Sequence, residues 1–116
     1  MQLTMLHGYP DAIGRRKVIC GFGIGPTSYT GGVTGGDAIT GLPFQWYTDA
    51  ILNSPILSVS GNFIAIAQFS GVGARQVIKL RYFVFQATSP AIGAEVANAV
   101  NLSAEKFQVA LLGGLY

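Results

Sequence analysis

The chain has few of the residues on which disulfides, metal sites and most catalytic centres depend. Its 116 residues include one cysteine, Cys20, and one histidine, His7. A single cysteine excludes an internal disulfide and a multi-cysteine zinc site, and we expect Cys20 to be a small buried apolar residue. General base catalysis needs a partnered, positioned ring, so a surface or interface role is favoured for His7. We expect no cofactor and no enzymatic activity.

Charged residues are also scarce. They make up 10% of the chain, whereas about a quarter is usual in soluble domains. Of the seven basic residues, only Arg15, Arg16 and Lys17 form a cluster. A nucleic-acid interface normally needs more Lys and Arg on one face, with aromatic residues between them, so we expect no nucleic-acid partner. A surface with so little charge favours contact with other proteins.

Long apolar runs are missing, although 50% of the residues are hydrophobic. A membrane-spanning helix needs about 18 or more consecutive apolar residues, so no membrane segment is expected. The first ten residues lack the basic start and apolar run of a secretory signal, and we expect a soluble protein made in the cytoplasm. The length suits one domain, with an N-terminal arm or edge strand over residues 1–15 and a single β domain over residues 16–116.

The strongest pattern in the sequence is alternation with period two, which is typical of β-strands. Turn residues rich in Gly, Asn, Ser and Pro separate the alternating segments. These features predict an all-β single domain, a β-sandwich or a jelly-roll-like barrel, with at most one short helix. The predicted strands are four long ones within residues 16–26, 58–70, 75–85 and 106–114, and short ones over residues 2–6 and 56–60.

Two segments have helical features. Residues 42–52 place Phe44, Tyr47 and Ile51 at helix-like spacing, and residues 89–100 begin with a Ser-Pro pair that is typical of a helix start. A helix over either segment would be short.

The first long strand has two unequal faces. Val18, Cys20, Phe22 and Ile24 lie on one face, and glycines occupy the other. A bare glycine face marks a bulge or a close approach by another backbone.

The strand over residues 75–85 changes character along its length. Its first half is amphipathic, whereas its second half, with Phe83 and Phe85, is apolar on both faces. This change predicts that a second sheet or a neighbouring subunit covers the strand there.

The glycine-rich stretch "SYTGGVTGGDAIT", residues 28–40, invites comparison with phosphate-binding loops. A P-loop carries a lysine that meets the phosphate charge, and this stretch has neither lysine nor arginine. We therefore interpret it as a structural turn in which glycine supplies positive φ or close backbone approach. Asp37 can bond nearby backbone amides there.

Aromatic residues supply the other candidate site. Trp46 and Tyr47 could stack on a sugar ring or anchor a protein interface, and core packing of at least one of them is an open alternative. The five acidic residues are widely spaced, and no pair of them suggests acid–base catalysis.

The order of these features resembles the capsid decoration, or cement, proteins of tailed bacteriophages. In that family a Tyr-x-x-Gly-Gly-acid stretch follows the first long strand, and Glu-Val-x-Asn followed by Leu-Ser-Ala precedes the last one. The resemblance covers residues 16–113 in feature order, and this chain differs by carrying two Gly-Gly pairs in the loop. The matching residues are Tyr29, Gly35, Gly36, Asp37, Glu95, Val96, Asn98, Leu102, Ser103 and Ala104.

The resemblance implies a virion structural protein without catalysis. Such a protein binds the outer surface of the assembled head, oligomerises, commonly as a trimer, and ties neighbouring major capsid proteins together. A tail or head-completion protein and a small carbohydrate-binding β module are the alternatives. The interface candidates are Tyr29, Asp37, Phe44, Trp46, Tyr47, Phe83, Phe85 and Tyr116.

Overall fold

The computed structural model describes residues 1–6, 11–13, 16–40, 51–52, 54–70, 77–86 and 93–115. These residues form an all-β domain with one short helix, as the sequence predicts. The elements in chain order are β1 (Leu3–Met5), β2 (Asp11–Ile13), β3 (Arg16–Ile24), α1 (Gly31–Thr34), β4 (Asp37–Ala38), β5 (Ile51–Leu52), β6 (Ile56–Leu57), β7 (Phe63–Ser70), β8 (Val77–Val84) and β9 (Lys106–Leu115).

The strands form two antiparallel sheets that meet along both sides. One sheet has the order β1-β3-β9-β5, with β2 also paired to β3, and the other has the order β4-β8-β7-β6. A parallel bridge between Gln2 and Thr40 joins β1 to the end of β4. On the opposite side, an antiparallel bridge between Ser58 and Phe107 joins the end of β6 to β9. The two sheets therefore close into a barrel-like wall around one core.

Each long strand that alternation predicts is confirmed. β3, β7, β8 and β9 lie within the predicted ranges or extend one residue beyond them, and β1 and β6 lie within the predicted short strands. In β8 the inward residues Ile78, Leu80, Tyr82 and Val84 are buried, and each residue between them is partly or fully exposed. Alternation predicts the two faces of β8 correctly.

The helix expected over residues 89–100 is wrong over its described part. Residues 93–100 are not helical, and Glu95 instead forms an antiparallel bridge with Phe83 of β8. The Val96 amide donates to the Tyr82 carbonyl at 2.9 Å. These hydrogen bonds outweigh a weak local preference for helix. The expected helix over residues 42–52 lies mostly outside the described residues, and its last two residues form β5.

Tyr82 of β8 lies at the centre of the core. Its ring packs edge-on against Tyr29, with the ring centroids 5.2 Å apart, and also lies 5.2 Å from the ring of Phe107 on the opposite sheet. All three side chains are at most 1% exposed. Each large aromatic buries about 150–250 Å², so this cluster supplies much of the apolar contact between the sheets.

The bare face of β3 points into the barrel, and the bulky face points outward. Gly21 and Gly23 are buried, while Cys20 is exposed, so the expectation that Cys20 is buried is wrong. A methyl group at Gly21 would overlap the carbonyl oxygen of Thr4 in β1. The close backbone approach that a glycine face predicts is thus present. Ile19, which lies on the same face of β3, is fully buried in the core.

Candidate interaction surfaces

Tyr29, at the start of the glycine-rich stretch, is part of a buried polar network. Its hydroxyl donates to Oε2 of Glu95 at 2.8 Å and accepts a long hydrogen bond of 3.4 Å from the Tyr82 amide. Gly31 is required here, because any Cβ at that position would overlap the Tyr29 hydroxyl. The phenol is 1% exposed. Tyr29 is one of the interface candidates, and within its own chain it lies in the core against Tyr82.

Asp37, at the end of the same stretch, completes the network. Its Oδ2 accepts a hydrogen bond of 2.8 Å from the Tyr82 hydroxyl, and its Oδ1 contacts the α-amino group of Met1. The Asp37 side chain is 16% exposed. Asp37 was expected to bond nearby backbone amides, and the bonds found instead reach other elements. The carboxylate joins β4 to β8 and leaves little of its surface for a partner.

The two glycine pairs of residues 28–40 have different functions in the fold. The first pair begins α1 and leaves room for Tyr29, as described above. In the second pair, Gly35 has φ 81° and Gly36 has φ 135°, backbone conformations that other residues rarely adopt. The prediction of a structural turn with positive φ is confirmed, and this turn directs Asp37 toward Tyr82.

Both buried tyrosines have raised pKa values. Burial in the core, followed by the hydrogen bond to the Glu95 carboxylate, raises the pKa of Tyr29 from 10.0 to about 12. Burial and the nearby Asp37 carboxylate raise the pKa of Tyr82 further. Both hydroxyls therefore stay protonated and act as hydrogen-bond donors at neutral pH.

Replacing Tyr82 with phenylalanine should destabilise the fold by about 1–3 kcal/mol, because the largely buried Asp37 carboxylate loses a donor. Urea unfolding of Tyr82→Phe, Asp37→Asn and the double variant measures this directly. We expect a coupling energy of about 1 kcal/mol or more between the two sites. Additive effects of the two changes would show that the hydrogen bond does not contribute.

The raised tyrosine pKa values also predict how stability depends on pH. The folded pKa of Tyr29 is about 12 and its unfolded value is 10.0, so the unfolded state releases its proton first as pH rises. The stability contribution is complete below pH 10 and is lost between pH 10 and 12. Unfolding at a series of alkaline pH values should show this fall, and Tyr29→Phe should show a shallower one. If the free energy of unfolding fell equally steeply with pH in both proteins, the raised pKa of Tyr29 would not contribute to stability.

A row of apolar side chains crosses the outer face of the second sheet. Leu57 of β6 lies opposite Ile64 of β7, which in turn lies opposite Phe83 of β8, and cross-strand neighbours on one face are about 5 Å apart. Phe83 is half-buried, whereas Phe85, just beyond β8, is 43% exposed. Ile66, 41% exposed, lies further along β7. We call this surface the Phe83 face; it consists of Leu57, Ile64, Ile66, Phe83 and Phe85.

An ion pair borders the Phe83 face. Nη1 of Arg81 lies 3.1 Å from Oε2 of Glu95, and both side chains are about a third exposed, at 31% and 30%. An ion pair at this exposure stabilises a fold by about 1 kcal/mol at most. Glu95 also accepts the Tyr29 hydrogen bond, so it connects the polar network of the core to the edge of an apolar surface.

The outer face of the first sheet carries a shallow open groove of about 300 Å³. It lies over the bulky face of β3 and the adjoining part of β9, and we call it the Phe22 groove. Sequence reasoning missed it, because alternation separates the two faces of β3 without telling which one faces outward. The residues that line the groove are Leu6, Cys20, Gly21, Phe22, Lys106, Gln108, Val109 and Ala110.

The other interface candidates, Phe44, Trp46, Tyr47 and Tyr116, lie outside the described residues, as does His7. The part of the chain that is described contains no group of three His, Cys, Asp or Glu side chains placed to hold a metal ion. It also contains no helix long and apolar enough to cross a membrane.

Comparison of the chain with protein-family models, curated proteins and solved structures finds no match. The fold and the surfaces described above are therefore the basis for a functional proposal.

Proposed function

We propose that this chain is a non-enzymatic structural protein of a phage virion, a decoration protein that binds the outer surface of the assembled head. It self-associates, as a trimer, and stabilises contacts between major capsid proteins. The Phe83 face carries this proposal, because it presents apolar side chains from three adjacent strands on the outside of the barrel. An exposed apolar patch of this kind is typical of a protein interaction site.

The distribution of charge supports the same proposal. The described carboxylates of Asp37 and Glu95 are held in the polar network, and Glu105 is 9% exposed and bonded to Ser60. Each of these three described carboxylates is thus bonded within the fold, which leaves few unpaired negative charges on the described surface. Interfaces between proteins have a core depleted in charge in the same way.

A decoration protein acts by preferential binding to one state of the shell. Binding to the expanded head and not to its precursor adds binding free energy to the stability of the expanded form alone. Extended contact surfaces on both sheets would let one domain reach more than one capsid subunit.

Cosedimentation with purified heads tests the proposal. We expect the chain to pellet with expanded heads, to stay in the supernatant with unexpanded precursors, and to raise the temperature at which expanded heads disassemble. Light scattering of the free protein should give the mass of a trimer. Absence of binding to expanded heads would refute the proposal, and retention on a glycan array would then favour a carbohydrate-binding module.

A further inference from the structure

We infer that the Phe22 groove binds an apolar segment of the partner protein that carries a carboxylate, and that this carboxylate pairs with Lys106. The inference rests on the proposed function, since it specifies how the chain contacts the capsid protein. The groove lies on the first sheet, apart from the Phe83 face on the second, and gives the chain a second contact surface.

The backbone holds the walls of the groove in place. Cys20 lies opposite Ala110, and Phe22 lies opposite Gln108, across the long antiparallel pair of β3 and β9. Leu6 forms the far edge, where its amide donates to the Cys20 carbonyl at 2.9 Å. A site on paired strands needs little ordering when a partner binds, which lowers the entropic cost of association.

The groove presents exposed apolar side chains. Leu6 is 63% exposed, and Cys20 and Ala110 beside it are also exposed. Phe22 is half-buried. The floor is therefore apolar and accessible to an incoming side chain.

Lys106 gives the groove its charge. Its Nζ lies 4.3 Å from the centroid of the Phe22 ring, a cation–π contact that holds the ammonium beside the apolar floor. Among the described residues, ion pairs join Met1 to Asp37 and Arg81 to Glu95, and none involves Lys106. A carboxylate of a partner, brought to Lys106 as the groove is covered, would form an ion pair shielded from water.

Among the carboxylates whose side chains the structure describes, charge complementarity favours a different protein over a second copy of this chain. Asp37 and Glu95 already have hydrogen-bonded partners within their own chain, and Glu105 is buried. A second copy would therefore have to open its own network before it could offer one of these described carboxylates. A capsid protein with a surface Asp or Glu next to apolar residues can offer a carboxylate to Lys106 without breaking hydrogen bonds of its own.

Cys20 allows a direct test, because it is the only cysteine of the chain and lines the groove. Its rate of reaction with a soluble disulfide reagent is measured for the free protein and for protein bound to expanded heads. We expect the bound thiol to react about tenfold more slowly, because a covered thiol is less accessible. Lys106→Met should weaken head binding about tenfold and Lys106→Arg should retain it, since only the second keeps the charge.

Four results, each different from those expected above, would overturn the inference. If heads bind the chain while Cys20 reacts at its free rate, the proposed function stands and the groove is not the contact. If heads do not bind, the proposed function fails together with the inference. If Cys20 becomes protected as protein concentration rises without heads, a second copy occupies the groove. Equal head binding by Lys106→Met and the original protein would show that no carboxylate is recognised.

Discussion

Replacing Phe107 with alanine is expected to lower the free energy of unfolding by about 3–5 kcal/mol, the usual cost of removing a large aromatic from a packed core. Phe107 is fully buried and packs on Tyr82. It also forms the bridge with Ser58 through which β9 meets the end of β6. A cavity here would therefore loosen both the core and one of the two junctions that close the barrel.

Urea unfolding followed by far-ultraviolet circular dichroism measures this effect. Val33→Ala is the matched control, because Val33 is 78% exposed on α1 and truncating it should change stability by about 0.5 kcal/mol or less. If Phe107→Ala costs less than about 1 kcal/mol, Phe107 is not the centre of a packed core.

The second large effect is expected from adding one methyl group. Gly21→Ala should cost about 3 kcal/mol, because the new Cβ would overlap the backbone of β1 at Thr4 and cannot be relieved by a side-chain rotation. Either β1 moves away from β3 or β3 bends. The first possibility would also disturb the bridge between Gln2 and Thr40 that joins the sheets.

Gly32→Ala provides the comparison for Gly21→Ala. Gly32 lies in α1, is exposed, and would place its Cβ near the flexible amide of Asn98, so the change should leave thermal stability almost unaltered. Alanine favours helix over glycine by up to about 1 kcal/mol, which offsets a small shift of Asn98. Similar losses in the two variants would contradict a specific close approach at Gly21.

Alternation of side chains was sufficient to predict the long strands and their pairs of faces. Two-residue strands such as β4 and β5 were not predictable, because two residues carry no periodicity and are held by hydrogen bonds to distant strands. Hydrogen bonds to a distant strand also explain why the helix expected over residues 89–100 is absent from residues 93–100. There the amides and carbonyls bond to β8, a partner that no local pattern reveals.

The candidate site was predictable only in part. Phe83 and Phe85 are interface candidates from the sequence, because apolar residues on both faces of a strand indicate cover on both sides. Tyr29 and Asp37 stand out in the sequence as polar residues of a glycine-rich loop. The sequence could not show that Tyr29 bonds to Glu95, or that Asp37 bonds to Tyr82, inside the fold. Their burial follows from the barrel topology, which brings distant segments together.

The direction of the β3 side chains was the remaining ambiguity. A strand with one glycine face and one bulky face can bury either, and the choice depends on what packs against it. Here β1 pairs with β3 beside Gly21, and the buried Met1 side chain fills the space next to Gly23, so the glycine face lies inside. The outward position of Cys20 and Phe22 follows from these contacts, and with it the Phe22 groove.

The most direct test of the proposed function compares head binding by the original protein with that by Phe85→Ser. Phe85 is 43% exposed, so its truncation should leave the melting temperature nearly unchanged, and Val33→Ser serves as the exposed control. We predict that the original protein and Val33→Ser pellet with expanded heads, and that Phe85→Ser binds about tenfold more weakly. Equal binding by all three proteins, or no binding by any, would contradict an assembly role for the Phe83 face.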